Sequence, residues 1–397
     1  MAVGVSYPRG FQAAGVVAGI KASGRPDVAV VAAADGAVPA AAVFTRSTMA
    51  APPVVLSRRH IEAAGRVRAV VVTSGNANAA TGAVGMRDAE RMTELVAKRL
   101  GSDVTEVLVA STGVIGVCLP MERVQAGISA ALDALVVDGG AAAAEAILTT
   151  DAAPKIAERE ILIGDRAVRV GGMAKGAGMI RPDLGTMIAV VTTDAVLSST
   201  EAAAVLRDAV AESFNCITVD GCASTSDTVI LLANGASRIT LDTAGYTAVS
   251  AAVRDVCCDL ALQIVRDGEG AKRIARWEVV GAANNDDAKV IAYAVAEAQL
   301  VRCALHGGDP NWGRIIAAVG GVGRTVDPNR IAITLGGNLL CSGGIAVCDV
   351  DTAAVAAAAA LDTVEVTIDL GLGCGRAVVW GSDLSLAYVA FNVEYTT

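Results

Sequence analysis

A chain of 397 residues exceeds what one hydrophobic core supports, so at least two lobes are expected. Its residues are 53% hydrophobic but only 3% aromatic, which leaves Ala, Val, Leu and Ile to fill an interior of closely packed α/β layers. A net charge of −9, with no dense basic tract, excludes non-specific nucleic-acid binding.

The N-terminal stretch Met1 to Gln12 holds Gly, Pro and Arg rather than the apolar run of a secretion signal. The longest apolar run, Ala353 to Leu361, is half a membrane span, so a cytoplasmic protein is expected. Strand-like Val/Leu runs follow at Arg68 to Thr73 and Glu106 to Ala110, each delivering a Ser/Gly-containing loop. Between them, Asp88 to Leu100 has helical spacing and stops at Gly101, a C-cap residue. Pro120 to Leu135 reads as a helix with Pro at its start, and Gly139 to Ala144 as a linker or a helix start. Met187 to Thr192 is a strand, and Ser198-x-x-Glu201 is a capping box opening a helix that runs to Phe214. Apolar residues at Val249, Val253, Val256, Leu260 and Ile264 predict a long amphipathic helix over Thr247 to Val265. A further helix is expected from Asp286-Asp287 to about Leu305. Glu365 to Leu370 and Arg376 to Trp380 flank a Gly-rich turn as a hairpin would. The alternation predicts an α/β fold of two halves meeting around Thr186.

Nine cysteines without a C-x-x-C pair read as small buried residues in a reducing compartment. Two histidines, His60 and His306, leave little room for a His-based metal site or a triad, and no metal is expected. The Gly/Lys cluster around Lys175 lacks the Ser/Thr that a phosphate loop places after its Lys.

The segment Lys175 to Val190 sets a Gly-Thr bond, Gly185 to Thr186, between a Gly/Pro/Asp turn and an apolar strand. A Thr hydroxyl needs a base, and the α-amino group of the same residue serves as one once the chain is cut before it. Its reference pKa of about 7.7–8.0 keeps much of it neutral near physiological pH. By composition and spacing alone, an ordinary turn leading into a strand is much the better account of this bond.

The wider sequence carries blocks from end to end: V-F-T-R at Val43 to Arg46, S-G-N-A-N-A-A-T-G at Ser74 to Gly82, A-S-T-G-V-I-G at Ala110 to Gly116, and T-T-D-A-A-P-K at Thr149 to Lys155. These continue with D-G-C-A-S-T-S-D-T at Asp220 to Thr228, D-G-E-G-A at Asp267 to Ala271, G-D-P-N-W-G-R at Gly308 to Arg314, and the terminal N-V-E-Y-T-T. In this order they resemble the ornithine acetyltransferases, the bifunctional glutamate N-acetyltransferase family of arginine biosynthesis. The resemblance implies a two-lobed or four-layer α/β fold related to that of DmpA. It also implies self-cleavage at Gly185-Thr186 into an alpha chain, residues 1–185, and a beta chain, residues 186–397, assembled as an α2β2 heterotetramer.

The same resemblance implies acetyl transfer from N-acetylornithine to glutamate through an acetyl-Thr186 ester. Thr112 and Gly113 would supply the oxyanion donors. Thr150 (with Thr149 as its alternate), Lys175, Glu269, Asn392 and Thr397 would bind substrate, Lys175 taking a carboxylate and Glu269 an amino group. No cofactor is implied, and acetyl-CoA stays open as a second donor. Two positions depart from the pattern: Gly185 stands where the family usually has Ala, and Arg302 where it usually has Lys. Three other readings remain: a related N-terminal-nucleophile acyltransferase of secondary metabolism, an amidase or peptidase of the same fold with water as acceptor, and a non-catalytic amino-acid-binding protein.

Overall fold

In the computed structural model, the described residues are 3–181 and 187–394. They form two compact units: one comprises the chain up to Asn215 with Ala223–Ile264, the other Cys216–Cys222 with the chain from Val265 onward.

The first unit stacks two sheets. One has the order Phe11–Val16, Val28–Ala33, Ala69–Asn76, Val107–Val114, the last two being parallel. The other runs Arg66–Val67, Val38–Phe44, Thr228–Ala233, Ile188–Thr193, Arg166–Lys175, Lys155–Ile163. Alternate residues of Val28–Ala33 point to opposite faces. Ala29, Val31 and Ala33 join Ile188, Val190, Ile230 and Leu232 in the core between the sheets. Val28, Val30 and Ala32 pack instead with Met92, Val96 and Ile128 of the helices Gly82–Leu100 and Met121–Asp133. Both faces are covered, which is why these strands read as unbroken Val/Ala runs rather than as alternating ones. Behind the second sheet lies the helix Thr243–Arg266. A Cβ on Gly172 would approach its Val256 and Leu260 to 2.9 Å, so only glycine allows that helix so close. The order of layers is helix, sheet, sheet, helix: a layered α/β fold, as expected.

The local signals act where they were read. Gly101 takes the left-handed conformation (φ 65°) and closes Gly82–Leu100. Ser198 and Glu201 exchange both bonds of a capping box, Ser198 Oγ accepting the Glu201 N–H at 3.2 Å and Glu201 Oε2 accepting the Ser198 N–H at 2.8 Å, and the helix runs Ser199–Glu212. Gly139 begins no linker; it caps the short helix Gly140–Ala146. Ile180 and Met187, on either side of the expected cut, are both buried and both belong to the first unit. The boundary expected between residues 185 and 186 thus falls within the sequence range of the first unit.

The second unit is built on a seven-stranded sheet of order Ile217–Thr218, Gly375–Ser382, Ile274–Ala282, Thr363–Asp369, Ala332–Leu335, Asn338–Ser342, Ile345–Ala346. Two expectations need correction here. Thr363–Asp369 and Gly375–Ser382 do not form a hairpin, because Ile274–Ala282 lies between them, parallel to the first and antiparallel to the second. Its Trp277 and Val279, in the core with Val366, Ile368 and Val379, have more apolar surface to bury in the middle of the sheet than at an edge. The helix expected over 286–305 is two helices, Asn285–Glu297 and Gln299–Gly307, parted by extended Ala298 (ψ 115°). Asn284 caps the first, its Oδ1 accepting the Asp287 N–H at 2.8 Å, and Asp286 and Asp287 stand in its first turn as expected.

Candidate active site

Strand Val107–Val114 carries Thr112 and Gly113 at its end, opposite Ser74 and Gly75. Gly113 has φ +128°, and a Cβ there would sit 2.3 Å from the Gly75 carbonyl carbon, so no side chain fits. Thr112 is buried, and its Oγ1 has no hydrogen-bond partner among the described residues. An orphaned buried hydroxyl typically costs about 1–3 kcal/mol. A group kept at that cost is suited to a ligand.

The T-T-D-A-A-P-K block folds around Asp151. Asp151 Oδ2 accepts the Thr149 N–H at 2.9 Å, and Oδ1 accepts Lys155 Nζ and the Gly176 N–H, both at 2.6 Å. Lys175 Nζ lies 3.8 Å from Oδ2. Both lysines are only 2% exposed, so one buried carboxylate faces two buried ammonium groups. Burial by itself would raise the Asp151 pKa; the Lys175 and Lys155 charges outweigh it and hold the carboxyl well below the ordinary range. Thr150, half-buried, sits in the turn that this network anchors.

Lys175 ends the strand Arg166–Lys175 and pairs directly with Ile188, so eleven residues of sequence separation from Thr186 become a cross-strand neighbourhood at residue 188. The Met187 N–H donates to Asp227 Oδ1 at 3.1 Å. Gly185, Thr186 and Thr397 lie outside the described residues.

Lys21 links the two groups of the first unit. Its Cγ would meet a Cβ on Gly75 at 2.8 Å, beside Gly113, and its charge interacts with those of Asp151 and Lys175. Burial, and to a smaller extent Arg25 and Lys175, push its amine down to about 8, against the pull of Asp27 and Asp151. The resulting locus is rich in positive charge and buried, a setting for a carboxylate ligand.

In the second unit the D-G-E-G-A turn meets the helix Leu386–Glu394. Asn392 Nδ2 donates to Glu269 Oε2 at 2.9 Å and to the Tyr388 carbonyl at 3.0 Å. A Cβ on Gly270 (φ +67°) would stand 2.5 Å from the Tyr388 nitrogen, so the glycine permits this contact. Glu269 is half-buried and Asn392 exposed. Arg302 is buried and donates to the Ser382 and Asp383 carbonyls, both at 3.1 Å, with its guanidinium 6.0 Å from the Tyr388 ring centre. This fork of two bonds is one an ammonium could not reproduce in the same plane. His306 Nδ1 pairs with Asp383 Oδ2 at 2.7 Å, and His60 Nδ1 with the Val107 carbonyl at 2.8 Å; each histidine has a structural partner.

The expected site residues thus form two sets: Thr112, Gly113, Thr150 and Lys175 in the first unit, Glu269 and Asn392 in the second. Sequence reading passed over Lys21, Asp151, Lys155 and Asp227. Asp151, Lys155 and Asp227 stand inside blocks quoted for the resemblance, but charge inside a Gly/Ala/Ser-rich block gives no sign of burial. Among the described residues no cluster of His, Cys, Asp or Glu could hold a metal, and no helix is long and apolar enough to cross a membrane.

The ArgJ family model matches residues 12–397. The chain is 45% identical over 393 residues to the arginine biosynthesis bifunctional protein ArgJ of Thermobifida fusca, covering 99% of this chain and 100% of that one. It is 47% identical over 404 residues to the protein of the same name from Symbiobacterium thermophilum, covering 100% and 99%. The crystal structure of the arginine biosynthesis bifunctional protein from Bacillus halodurans superposes with a TM-score of 0.50 at 36% identity, covering 52% of this chain and 98% of that one. With a match along nearly its whole length and the blocks in order, this chain belongs to the ArgJ family, acyltransferase enzymes of arginine biosynthesis.

Proposed function

We propose that the chain cuts itself between Gly185 and Thr186 and that the freed Thr186 carries acetyl from N-acetylornithine to glutamate. In the first step Thr186 Oγ attacks the Gly185 carbonyl, the C–N bond breaks, and the resulting ester is hydrolysed to a Gly185 carboxylate and a free Thr186 amine. Intramolecular placement favours such an attack, with effective molarities of about 10⁵ M or more for well-oriented groups. Gly185, without a Cβ, leaves its carbonyl open to approach.

In the mature enzyme the Thr186 amine takes the hydroxyl proton as Oγ attacks the N-acetyl carbonyl. The tetrahedral intermediate collapses with transfer of the proton to the leaving nitrogen, and ornithine departs. Glutamate's amine then attacks the acetyl ester, giving N-acetylglutamate and restoring Thr186. Thr112 Oγ and the Gly113 N–H are the oxyanion donors, Lys175 with Thr150 receives the substrate carboxylate, and Glu269 with Asn392 and Thr397 receives the amino end. Acetyl-CoA would enter the same ping-pong path as an alternative donor. The two chains assemble as α2β2 in the cytoplasm.

The observation that carries this reading is the buried Thr112 hydroxyl, unpartnered among the described residues, at the end of a strand whose neighbouring residue is a glycine that admits no side chain. The test is intact mass and N-terminal sequencing of the purified chain beside Thr186→Ala. Fragments of 185 and 212 residues, the second beginning T-M-I-A-V, with an uncut variant, are expected; a folded, uncut wild-type chain would overturn the mechanism.

A further inference from the structure

Asp227 is fully buried, with the Met187 N–H and the Thr45 and Ser224 hydroxyls around its carboxyl. It precedes the strand Thr228–Ala233, which runs parallel to Ile188–Thr193 with Thr228 opposite Ile188. The Thr228 N–H donates to the Met187 carbonyl at 3.1 Å, and the Met187 N–H donates to Asp227 Oδ1 at 3.1 Å. Both polar groups of Met187 are therefore held from one place. The other carboxyl oxygen, Oδ2, has no partner among the described residues. Thr45 Oγ1, one of the hydroxyls beside the carboxyl, donates to the Ser224 carbonyl at 2.9 Å. Burial pushes the Asp227 carboxyl well above its usual range, against the smaller opposing effects of the Met187 N–H, the Thr45 and Ser224 hydroxyls and the Lys175 charge. Oδ1 accepts the Met187 N–H as the oxygen of a side-chain amide would, so asparagine can take its place in that bond.

The amide that Asp227 grips is the one bonded to the Thr186 carbonyl carbon. We infer that Asp227 is a positioning residue: its hold on the Met187 N–H anchors the chain immediately after Thr186, and self-cleavage depends on that anchor. This rests on the self-cleavage proposed above and adds a residue that none of the expected site positions includes. The role inferred for Asp227 is exerted through Met187, the residue that follows Thr186 in the chain. A misplacement of about 1 Å can cost on the order of 100-fold in such a reaction.

The experiment follows scission of the chain made by cell-free synthesis, with the uncut and cut species separated by mass at timed intervals. Wild type, Thr186→Ala, Asp227→Ala, Asp227→Asn and Ile230→Ala are compared. Ile230, fully buried in the adjoining strand, serves as the control for loss of stability alone. Asp227→Ala is expected to slow scission on the order of 100-fold. Asp227→Asn, which keeps a neutral acceptor in place, should cut within about threefold of wild type, a small fraction of a misplacement's effect. Ile230→Ala should lower the melting midpoint as much as Asp227→Ala without comparable slowing. Should Asp227→Ala fail to fold, Asp227→Asn decides: scission slowed tenfold or more overturns the inference. Equal slowing by Asp227→Ala and Ile230→Ala, or none by Asp227→Ala, overturns it too. An uncut wild type would instead sink the self-cleavage reading, so the two failures are told apart.

Discussion

Asp151 with its two lysines and Glu269 with Asn392 are both polar groupings at expected site positions, yet they are built in opposite ways. The first is a buried ion cluster with two short bonds to one oxygen; the second joins a half-buried carboxylate to an exposed amide at the start and end of a turn–helix contact. Burial makes the first stiff and costly to disturb, because a charge left without its counter-ion in a low-dielectric interior cannot be rehydrated. Exposure makes the second cheap to break and easy to rearrange around a ligand.

The largest effect should follow removal of the counter-ion. Asp151→Ala leaves Lys155 and Lys175 without it and should cost about 3–5 kcal/mol, read from the denaturant midpoint. Its depressed pKa sets the sign with pH. The carboxylate's contribution is fully present above the unfolded pKa near 4 and fades progressively as pH falls from there to the lower folded value, so the difference between wild type and Asp151→Asn should shrink from about pH 4 downward.

Next comes Thr112→Val, which deletes the orphaned hydroxyl at constant shape. It should lower kcat about 10²- to 10³-fold while leaving stability unchanged or slightly improved; a parallel loss of stability would point to a structural hydroxyl instead. A smaller change is expected from Lys21. Its amine, near 8, loses its charge as pH rises from 7 to 9, so KM for N-acetylornithine should climb over that range, and Lys21→Met should abolish the climb. In the proposed mechanism the Thr186 amine would act on kcat, which keeps the two apart. Because the folded pKa lies below the unfolded one, Lys21 also predicts that stability rises with pH between about 8 and 10.4. The smallest effect belongs to Asn392→Ala: under about 1 kcal/mol in stability, and a few-fold rise in KM with little change in kcat.

Helix ends were readable because their signals are local. Gly101 closes a helix by its own φ, and Ser198 with Glu201 satisfies orphan donors four residues apart at most. Strand partners were not. Two apolar runs flanking a Gly-rich turn at 370–375 look like a hairpin to any local rule, and only the competing burial of Trp277 and Val279 puts Ile274–Ala282 between them. The break at Ala298 escaped notice for the same reason, since alanine carries no stop signal.

The site divides along that line. Residue types in blocks, Ser-Thr-Gly, Thr-Thr-Asp and Gly-Glu-Gly, were sufficient to identify the family and nominate Thr112, Gly113, Thr150, Lys175, Glu269 and Asn392, because chemistry resides in side-chain identity and order. Which charges are buried was decided by the fold. Lys175 stands across from Ile188 through strand register, Asp151 acquires two lysines from its own turn and the neighbouring strand end, and Asp227 reaches Met187 from forty residues away. Burial and cross-strand contact depend on the whole packed chain, and electrostatics inside a protein follows burial more than sequence distance.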